Sequence, residues 1–379
     1  MTHTYLDHAA TTTLRPVARV AMAEAYASAN ANASGQHGPA RTAKNALELA
    51  REQAAELLGS SRPLDIVFTS GGTEADNLAV AGVALASQRR SIVVSAVEHD
   101  AVLRSAESMQ RFGYTVTKIG VDMSCVVDPG EVASFVGPDT AVVSVMAANN
   151  EIGSIEPIKA IVEAVKSVDD SIPVHTDAAQ AFVSEVTTVG STSADLISLT
   201  AHKFGGPKGV GLLVVNPSVR LDPVMHGGGQ EAGRRSGTYN VPGIVGMVAA
   251  MKEAVAQRDV FRMKVGRERD AFEESLSAWL PTAVVSGSSK QRMVQHSHVR
   301  FPGVLAETLL IRLDQEGIAA AAGSACQSGA VEPSHVLTAM GMSDTAAGEC
   351  VRFSFGWDTP TGQGQAAAAR VANMMRELT

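Results

Sequence analysis

The chain has 379 residues, of which 45% are hydrophobic, and it carries a formal net charge of -8 at pH 7. This length and composition are enough for one large domain and a smaller companion, each with its own core. The acidic balance offers no basic surface for a nucleic-acid backbone, and no apolar run approaches the roughly 20 residues that span a bilayer. We therefore expect a globular protein without a nucleic-acid or membrane partner.

The N-terminal sequence MTHTYLDHAATTT has neither the basic start nor the apolar core of an export signal, which predicts a cytoplasmic protein. The three cysteines, Cys125, Cys326 and Cys350, stand far apart and form no CxxC pair. This spacing argues against a zinc site and against a disulfide framework. Each cysteine is therefore interpreted separately, and no metal site is predicted.

Short runs rich in β-branched residues alternate with longer alanine-rich stretches of helical period. This alternation is typical of βαβ units and predicts an α/β fold with a mostly parallel central sheet. Helices are expected between the strands, for example over residues 75–88 and 157–168. The predicted buried strands are residues 65–70, 91–97, 140–146, 172–177, 194–200 and 209–215.

The character of the sequence changes after HGGGQEAGRRSGTYNVPG. A long charged helix is predicted over about residues 247–280, followed by fewer strands, two more helices and a final helix at 364–378. We therefore predict a large domain at residues 15–254. A smaller domain is predicted from residues 1–14 together with 255–379.

A polar segment follows each of five predicted strands; in chain order these are GGTEADN, EHDA, ANNEIG, DAAQ and AHK. In an open parallel sheet the ligand crevice lies outside the carboxyl ends of the strands, so the five segments are predicted to converge. An Asp or Asn after a strand is often only a helix cap. Five such segments at one edge favour a binding site.

The convergent residues suit a phosphorylated pyridine cofactor. Gly72 and Thr73 open a predicted helix, where free N–H groups and the positive end of the dipole bind phosphate. Asp177 at a buried strand end needs a partner, and a protonated pyridine nitrogen is a suitable one. Lys203 follows an apolar run and provides an amine for a Schiff base.

With these residues in place, the chain resembles the pyridoxal-phosphate-dependent cysteine desulfurases of the NifS/IscS type, in the class V aminotransferase group of fold type I. The resemblance covers nearly the full length and implies a large cofactor-binding domain and a smaller α+β domain that carries a catalytic cysteine loop. The motifs that carry it are YLDHAATT, FTSGGTEADN, EHDAV, NNEIG, DAAQ, AHKFGGPKGVG, HGGGQEAGRRSGT, GSACQSG and VRFSFG.

The resemblance implies that Lys203 holds pyridoxal 5'-phosphate as a Schiff base and later moves the Cα proton. It implies that His99 stacks on the ring, and that Thr238 reaches the phosphate of a neighbouring subunit in a homodimer. The implied cofactor-binding residues are Gly72, Thr73, His99, Asn150, Asp177, Gln180, Thr200, His202, Lys203 and Thr238.

From the local sequence alone, Cys326 could simply be a small hydrophobic residue in a turn, without a catalytic role. The resemblance implies instead that Cys326 attacks the sulfur of L-cysteine, giving L-alanine and a persulfide, with Lys203 and His99 as the other catalytic residues. Arg352, with Asn32 as a weaker second, is expected to bind the substrate carboxylate.

The implied partners are proteins of iron–sulfur assembly or thiolation that accept the sulfur. The only metal contact expected of Cys326 is a transient one with an iron–sulfur cluster during transfer. Cys125 and Cys350 are expected to be structural.

Two other interpretations remain at this point. A selenocysteine lyase or an aminotransferase on the same fold would share the Lys203 region, and a non-catalytic scaffold would belong to another class. Ala201, Gln327 and Trp357 depart from the commonest pattern of the family, which leaves open how the substrate is positioned in detail.

Overall fold

The computed structural model describes residues 3–323 and 333–378. The strands are β1 Thr4–Tyr5, β2 Ile66–Thr69, β3 Ser91–Ser95, β4 Thr115–Ile119, β5 Thr140–Ser144, β6 Val174–Asp177, β7 Leu196–Thr200, β8 Gly211–Val215, β9 Val284–Val285, β10 His296–Arg300, β11 Ile318–Ala319 and β12 Cys350–Ser354.

The helices are α1 Pro16–Ser28, α2 Gly38–Leu58, α3 Gly72–Asn77, α4 Val83–Ala86, α5 Asp100–Met109, α6 Pro129–Phe135, α7 Ile158–Val168, α8 Val189–Thr192, α9 Val241–Ala256, α10 Arg258–Trp279, α11 Ala306–Gln315, α12 His335–Ala339, α13 Asp344–Ala347 and α14 Gln363–Leu378. A π-helical turn, Leu78–Gly82, joins α3 to α4, so the chain is helical from Gly72 to Ala86.

The central sheet has seven strands in the order β2-β8-β7-β6-β5-β3-β4. The strands from β4 to β7 pair in parallel, whereas β8 is antiparallel to both of its neighbours. The α/β prediction with a mostly parallel sheet is therefore confirmed. Strand β4 was not predicted, because this edge strand is partly exposed and mixes polar with apolar residues, which weakens the apolar signal.

Because β2 and β7 both run opposite to β8, β2 has the same direction as the parallel strands. The five strands that precede the polar segments therefore present their carboxyl ends at one edge, as predicted, and β4 runs in the same direction. Strand β8 meets that edge with its first residue, Gly211. A Cβ on Gly211 would lie 2.7 Å from the carbonyl carbon of Gly71, so only glycine allows β8 to approach the loop before α3 this closely.

Two apolar clusters bury both faces of this sheet. In β3, Val93 packs into one cluster, whereas Ile92 and Val94 pack into the other, as the alternation of side chains along a strand requires. Across residues 3–323 and 333–378, none of the helices combines the length and the apolar character needed to cross a bilayer.

Two smaller sheets are built mainly from the C-terminal part of the chain. Strands β12, β10 and β9 form an antiparallel sheet, and β1 pairs in parallel with β11. An isolated bridge between Asp7 and Ser354 brings the N-terminal segment beside β12.

The proposed division into a large domain at residues 15–254 and a smaller domain at residues 1–14 with 255–379 stays a prediction.

The single long helix predicted over residues 247–280 is wrong. The segment forms two helices, α9 and α10, separated at Gln257, whose φ of -104° and ψ of 9° are not helical. The two helices pack on different partners, α9 on α1 and α10 on α14. The break lets each apolar face meet its own partner, which a periodicity count over the whole segment does not reveal.

Candidate active site

A cavity of about 270 Å³ opens where the five strand ends meet. Its lining contains ten of the residues predicted from sequence, and the structure thus brings them together. They are Gly72, Thr73, His99, Asn150, Asp177, Gln180, Thr200, His202, Lys203 and Arg352.

Lys203 ends the short 3-10 turn that follows β7, which directs its side chain into the cavity wall. Its ammonium group donates to the carbonyl oxygens of Ala9 and Ala10, the second at 3.0 Å. The N-terminal segment thus holds the lysine in place. Because Lys203 lines the cavity, a carbonyl compound bound there could react with its amine.

Asp177 is the last residue of β6 and is 7% exposed. Its carboxylate accepts a hydrogen bond from the backbone N–H of Ala179 at 2.9 Å. Burial raises the pKa of Asp177, and the nearby His99 and Lys203 offset only part of that rise. A cation placed against Asp177 would therefore relieve an unfavourable buried charge.

Asp76, which the sequence interpretation did not single out, also lines the cavity. It is 1% exposed, and its Oδ1 atom has no hydrogen-bond partner within the described part of the chain. Burial and the charge of Asp177 raise the pKa of Asp76 well above its usual range. The sequence contained one signal that could have identified Asp76: it comes four residues after Gly72, which places both residues on the same helical face.

Behind Asp76 lies a buried polar group centred on His175. The His175 ring lies 2.8 Å from the Ser144 hydroxyl and 2.9 Å from the Ser198 hydroxyl, and 3.7 Å from Asp76. Burial lowers the pKa of His175 to about 3, so the ring is neutral. This group supports Asp76 without adding a positive charge.

His99 caps the N-terminus of α5, with its Nδ1 atom accepting from the N–H of Ala101 at 3.1 Å. Because Nδ1 is an acceptor, the ring proton of the neutral form is on Nε2. Burial lowers the pKa of His99 more than Asp177 raises it. The ring is therefore a neutral, oriented imidazole at neutral pH.

The opposite end of the cavity combines the start of α3 with the end of β7. A Cβ on Gly72 would lie 3.3 Å from the Thr200 side chain, so the two segments are in close contact. His202 lies 3.2 Å from the Thr11 hydroxyl, and burial together with Lys203 lowers its pKa to about 4. The backbone N–H groups at the start of α3 and the Thr200 hydroxyl form a set of hydrogen-bond donors for an anion.

Arg352, on β12, contributes a buried guanidinium to the cavity. It forms a 2.8 Å ion pair with Asp7 and donates to the carbonyl oxygen of Asn150 at 2.8 Å. Its Nε atom is buried without a hydrogen-bond partner among the described residues. Across the cavity, the amide of Gln180 donates to the carbonyl of Ala9 at 2.9 Å.

Two predicted residues lie away from the cavity. Asn32 is exposed and accepts from the N–H of Ser34, and Thr238 is exposed on its loop; neither lines the cavity of this single chain. Cys326 falls outside the described residues. Within the part of the chain that is described, no cluster of three or more His, Cys, Asp or Glu side chains is arranged to hold a metal ion.

Comparison with known proteins agrees with this architecture. The family model "Aminotransferase class-V" matches residues 4–363. A cysteine desulfurase IscS of Methanosarcina thermophila is 40% identical over 93% of this chain and 87% of its own length. A putative cysteine desulfurase IscS 1 of Bacillus subtilis (strain 168) is 38% identical, with 100% of both chains covered. A solved NifS-like protein superposes with a TM-score of 0.92 at 32% identity, covering 99% of this chain and 100% of the other. The chain therefore belongs to the class-V aminotransferase family and, within it, to the cysteine desulfurases.

Proposed function

We propose that this protein removes the sulfur atom of L-cysteine with pyridoxal 5'-phosphate as cofactor, releasing L-alanine and leaving a persulfide on Cys326. The observation that carries the proposal is the presence of Lys203 and the buried Asp177 in one cavity. An amine and a carboxylate in this arrangement fit the aldehyde and the pyridine nitrogen of that cofactor.

The cavity residues fit the remaining groups of the cofactor as well. Gly72 and Thr73, with Thr200 and His202, would hold the phosphate through N–H and hydroxyl donors. Gln180 and Asn150 would lie near the ring hydroxyl, and His99 would contact the ring face. When bound, pyridoxal phosphate supplies an electron-withdrawing ring that stabilises negative charge at the Cα of an attached amino acid.

The side chains of this protein would bind the substrate and move its protons. The Arg352 guanidinium would bind the carboxylate of cysteine, with its buried Nε as an additional donor. Lys203 would take the proton from Cα at its Nζ atom. His99, neutral because burial lowers its pKa, would accept a proton from a thiol near the cofactor at Nδ1, in exchange for the hydrogen bond from the N–H of Ala101.

Cys326 would then act on the substrate sulfur as a thiolate. A bond forms between the two sulfur atoms as the bond between the substrate sulfur and Cβ breaks. The electron pair of the broken bond stays on the carbon skeleton, which takes up a proton and leaves as alanine. The persulfide would pass to an acceptor protein of iron–sulfur assembly or thiolation.

The other two cysteines are poor candidates for this role. Cys125 and Cys350 are both buried, at 0% and 1% exposure. Burial raises the pKa of the Cys125 thiol far above its usual range and that of Cys350 to about 12. Both therefore stay protonated, and a protonated thiol is a weak nucleophile.

The experiment compares Cys326→Ser with Cys125→Ser and Cys350→Ser as matched controls. Alanine and protein-bound sulfane sulfur are measured together after mixing with L-cysteine. Cys326→Ser should keep the visible absorption of bound cofactor, yet form no persulfide and almost no alanine, whereas both controls stay near wild type. Full alanine production by Cys326→Ser would contradict the proposal, and wild-type activity on selenocysteine alone would indicate a selenocysteine lyase.

A further inference from the structure

A second, much smaller cavity adjoins the active-site cavity and shares Ala9, Gln180 and Lys203 with it as lining residues. We call it the back chamber; its wall also contains His8, Thr12, Gln295 and His296. Its volume is about 20 Å³. A buried water needs roughly 10–15 Å³ measured in this way. The back chamber thus has room for one water molecule and is too small for an amino acid.

Buried polar side chains line this small space. Gln295 is 4% exposed; its amide nitrogen donates to the carbonyl of Gln180, but its Oε1 atom has no hydrogen-bond partner among the described residues. His296 is fully buried beside it. An unpaired buried polar atom costs about 1–3 kcal/mol. A water with its several hydrogen bonds would remove much of that cost.

A chain of proton-carrying groups leads outward from the back chamber. The Thr12 hydroxyl lies 2.7 Å from Nδ1 of His8, a hydrogen-bond distance. Nε2 of His8 lies 3.7 Å from Asp358, whose side chain is 32% exposed, whereas the His8 side chain is 6% exposed. Burial lowers the pKa of His8 more than Asp358 and Asp7 raise it, so the ring is a neutral acceptor.

We propose that one ordered water in the back chamber, together with Thr12 and His8, forms a proton relay between Lys203 and the solvent at Asp358. The relay rests on the proposed function, in which Lys203 moves the Cα proton. Thr12 is suited to it because a hydroxyl accepts one hydrogen bond while donating another.

Each step of the relay moves one proton. Lys203 Nζ gives a proton to the water, and the water gives one of its own to Oγ1 of Thr12. The original hydroxyl proton of Thr12 passes to Nδ1 of His8. His8 then releases its Nε2 proton to a solvent water beside Asp358, and the reverse sequence recharges Lys203.

The relay makes the proton on Lys203 exchange with solvent during turnover, and this exchange can be measured. The holoenzyme converts L-cysteine carrying deuterium at Cα in ordinary water, and the deuterium retained in alanine is measured by mass spectrometry. In Thr12→Val the methyl group replaces the hydroxyl, so retention should rise severalfold, with kcat lowered and KM unchanged. His8→Asn should act in the same direction.

Thr12→Ser restores the hydroxyl and should return retention to the wild-type value. Thr13→Val, at the neighbouring exposed position, is the matched control and should not change it. Equal retention in wild type, Thr12→Val and His8→Asn would overturn the relay.

A high-resolution crystal structure of the purified protein tests the water separately. It should show a single density peak within hydrogen-bond distance of Gln295, and absence of that peak would overturn the proposal whatever the activity. If the wild type produced no alanine from cysteine, the proposed function and the relay would fail together, while the density would still decide whether the back chamber holds water.

Discussion

Among single residues, the two buried carboxyl groups of the cavity have different expected roles. Asp177→Asn should lower kcat/KM at least about tenfold, because a neutral amide cannot pair with a pyridinium ion and a hydrogen bond to a charged group contributes about 1.5–3 kcal/mol. Asp76→Asn should have little effect. Burial and the charge of Asp177 raise the pKa of Asp76 well above its usual range, which favours the protonated form, and an amide resembles a neutral carboxyl.

Steady-state kinetics and cofactor titration of the two variants check this contrast. Equal losses in both would mean that Asp76 is ionised in the working enzyme. Equal activity in both would instead remove Asp177 as the partner of the pyridine nitrogen.

A second prediction for a single residue concerns the pH dependence of protein stability. It involves Glu156, which lies away from the cavity. Burial raises the pKa of Glu156 to about 8, and one oxygen accepts from the N–H of Val127 at 2.8 Å. The unfolded chain releases this proton near its ordinary pKa of about 4.3. The contribution of the group to stability is therefore complete below about pH 4 and is lost as the pH rises to about 8.

Glu156→Gln removes this titration, so the variant should gain stability over wild type between pH 5 and pH 8, by up to about 4 kcal/mol. Urea unfolding across this pH range measures the difference. Glu163→Gln, on the exposed face of α7, provides the control and should follow the wild type at every pH. A wild type and Glu156→Gln with parallel stability profiles would show that Glu156 titrates normally.

At the scale of elements, the contact between α10 and the start of α14 depends on a close backbone approach. A Cβ on Gly364 would lie 1.9 Å from the carbonyl oxygen of Glu268, and the Glu268 carboxylate accepts from the N–H groups of Gly362 and Gly364. Gly364→Ala should therefore destabilise the protein by about 1–3 kcal/mol.

Gly137→Ala is the comparison for this substitution, since a Cβ there meets no atom within 4 Å. Its effect should stay within about 0.5 kcal/mol. Thermal or urea unfolding measures both variants. A Gly364→Ala protein as stable as Gly137→Ala would show that the two helices can separate slightly without cost.

The elements also show what the sequence could predict and what it could not. The strands that end at the cavity were predictable because continuous apolar runs mark strands buried on both faces. The break at Gln257 and the edge strand β4 were not, since each depends on which surface the segment packs against. Asp76 was missed for a similar reason: a helical carboxylate gives no sign of its burial until the neighbouring sheet is in place.

For the whole molecule, the position of Thr238 bears on assembly. It is exposed and lies outside the cavity of its own chain, as expected for a residue that completes the site of a partner. If Thr238 completes a partner's site as proposed, Thr238→Asp should repel the cofactor phosphate there, and Lys203→Ala removes the amine from its own site. Each variant alone should be inactive or nearly so.

A mixed dimer of the two variants would contain one site with both residues intact. Mixing after mild dissociation should therefore yield more activity than the two variants give separately, and light scattering should show a dimer. No recovery in a mixture that has exchanged subunits would contradict the shared site. Full activity of a monomer would contradict it as well.

The close approach of Gly211 to Gly71 has a consequence for how the enzyme would acquire the proposed cofactor. The loop before α3 rests directly on a strand of the central sheet, so its backbone is held by the framework of the protein and does not depend on a bound phosphate for its shape. Loading then requires little ordering of the chain, and little of the binding energy is spent on it. Loss of the proposed cofactor would then leave the loop in place, and we expect the holoenzyme to re-form at a rate set by encounter rather than by refolding of the loop.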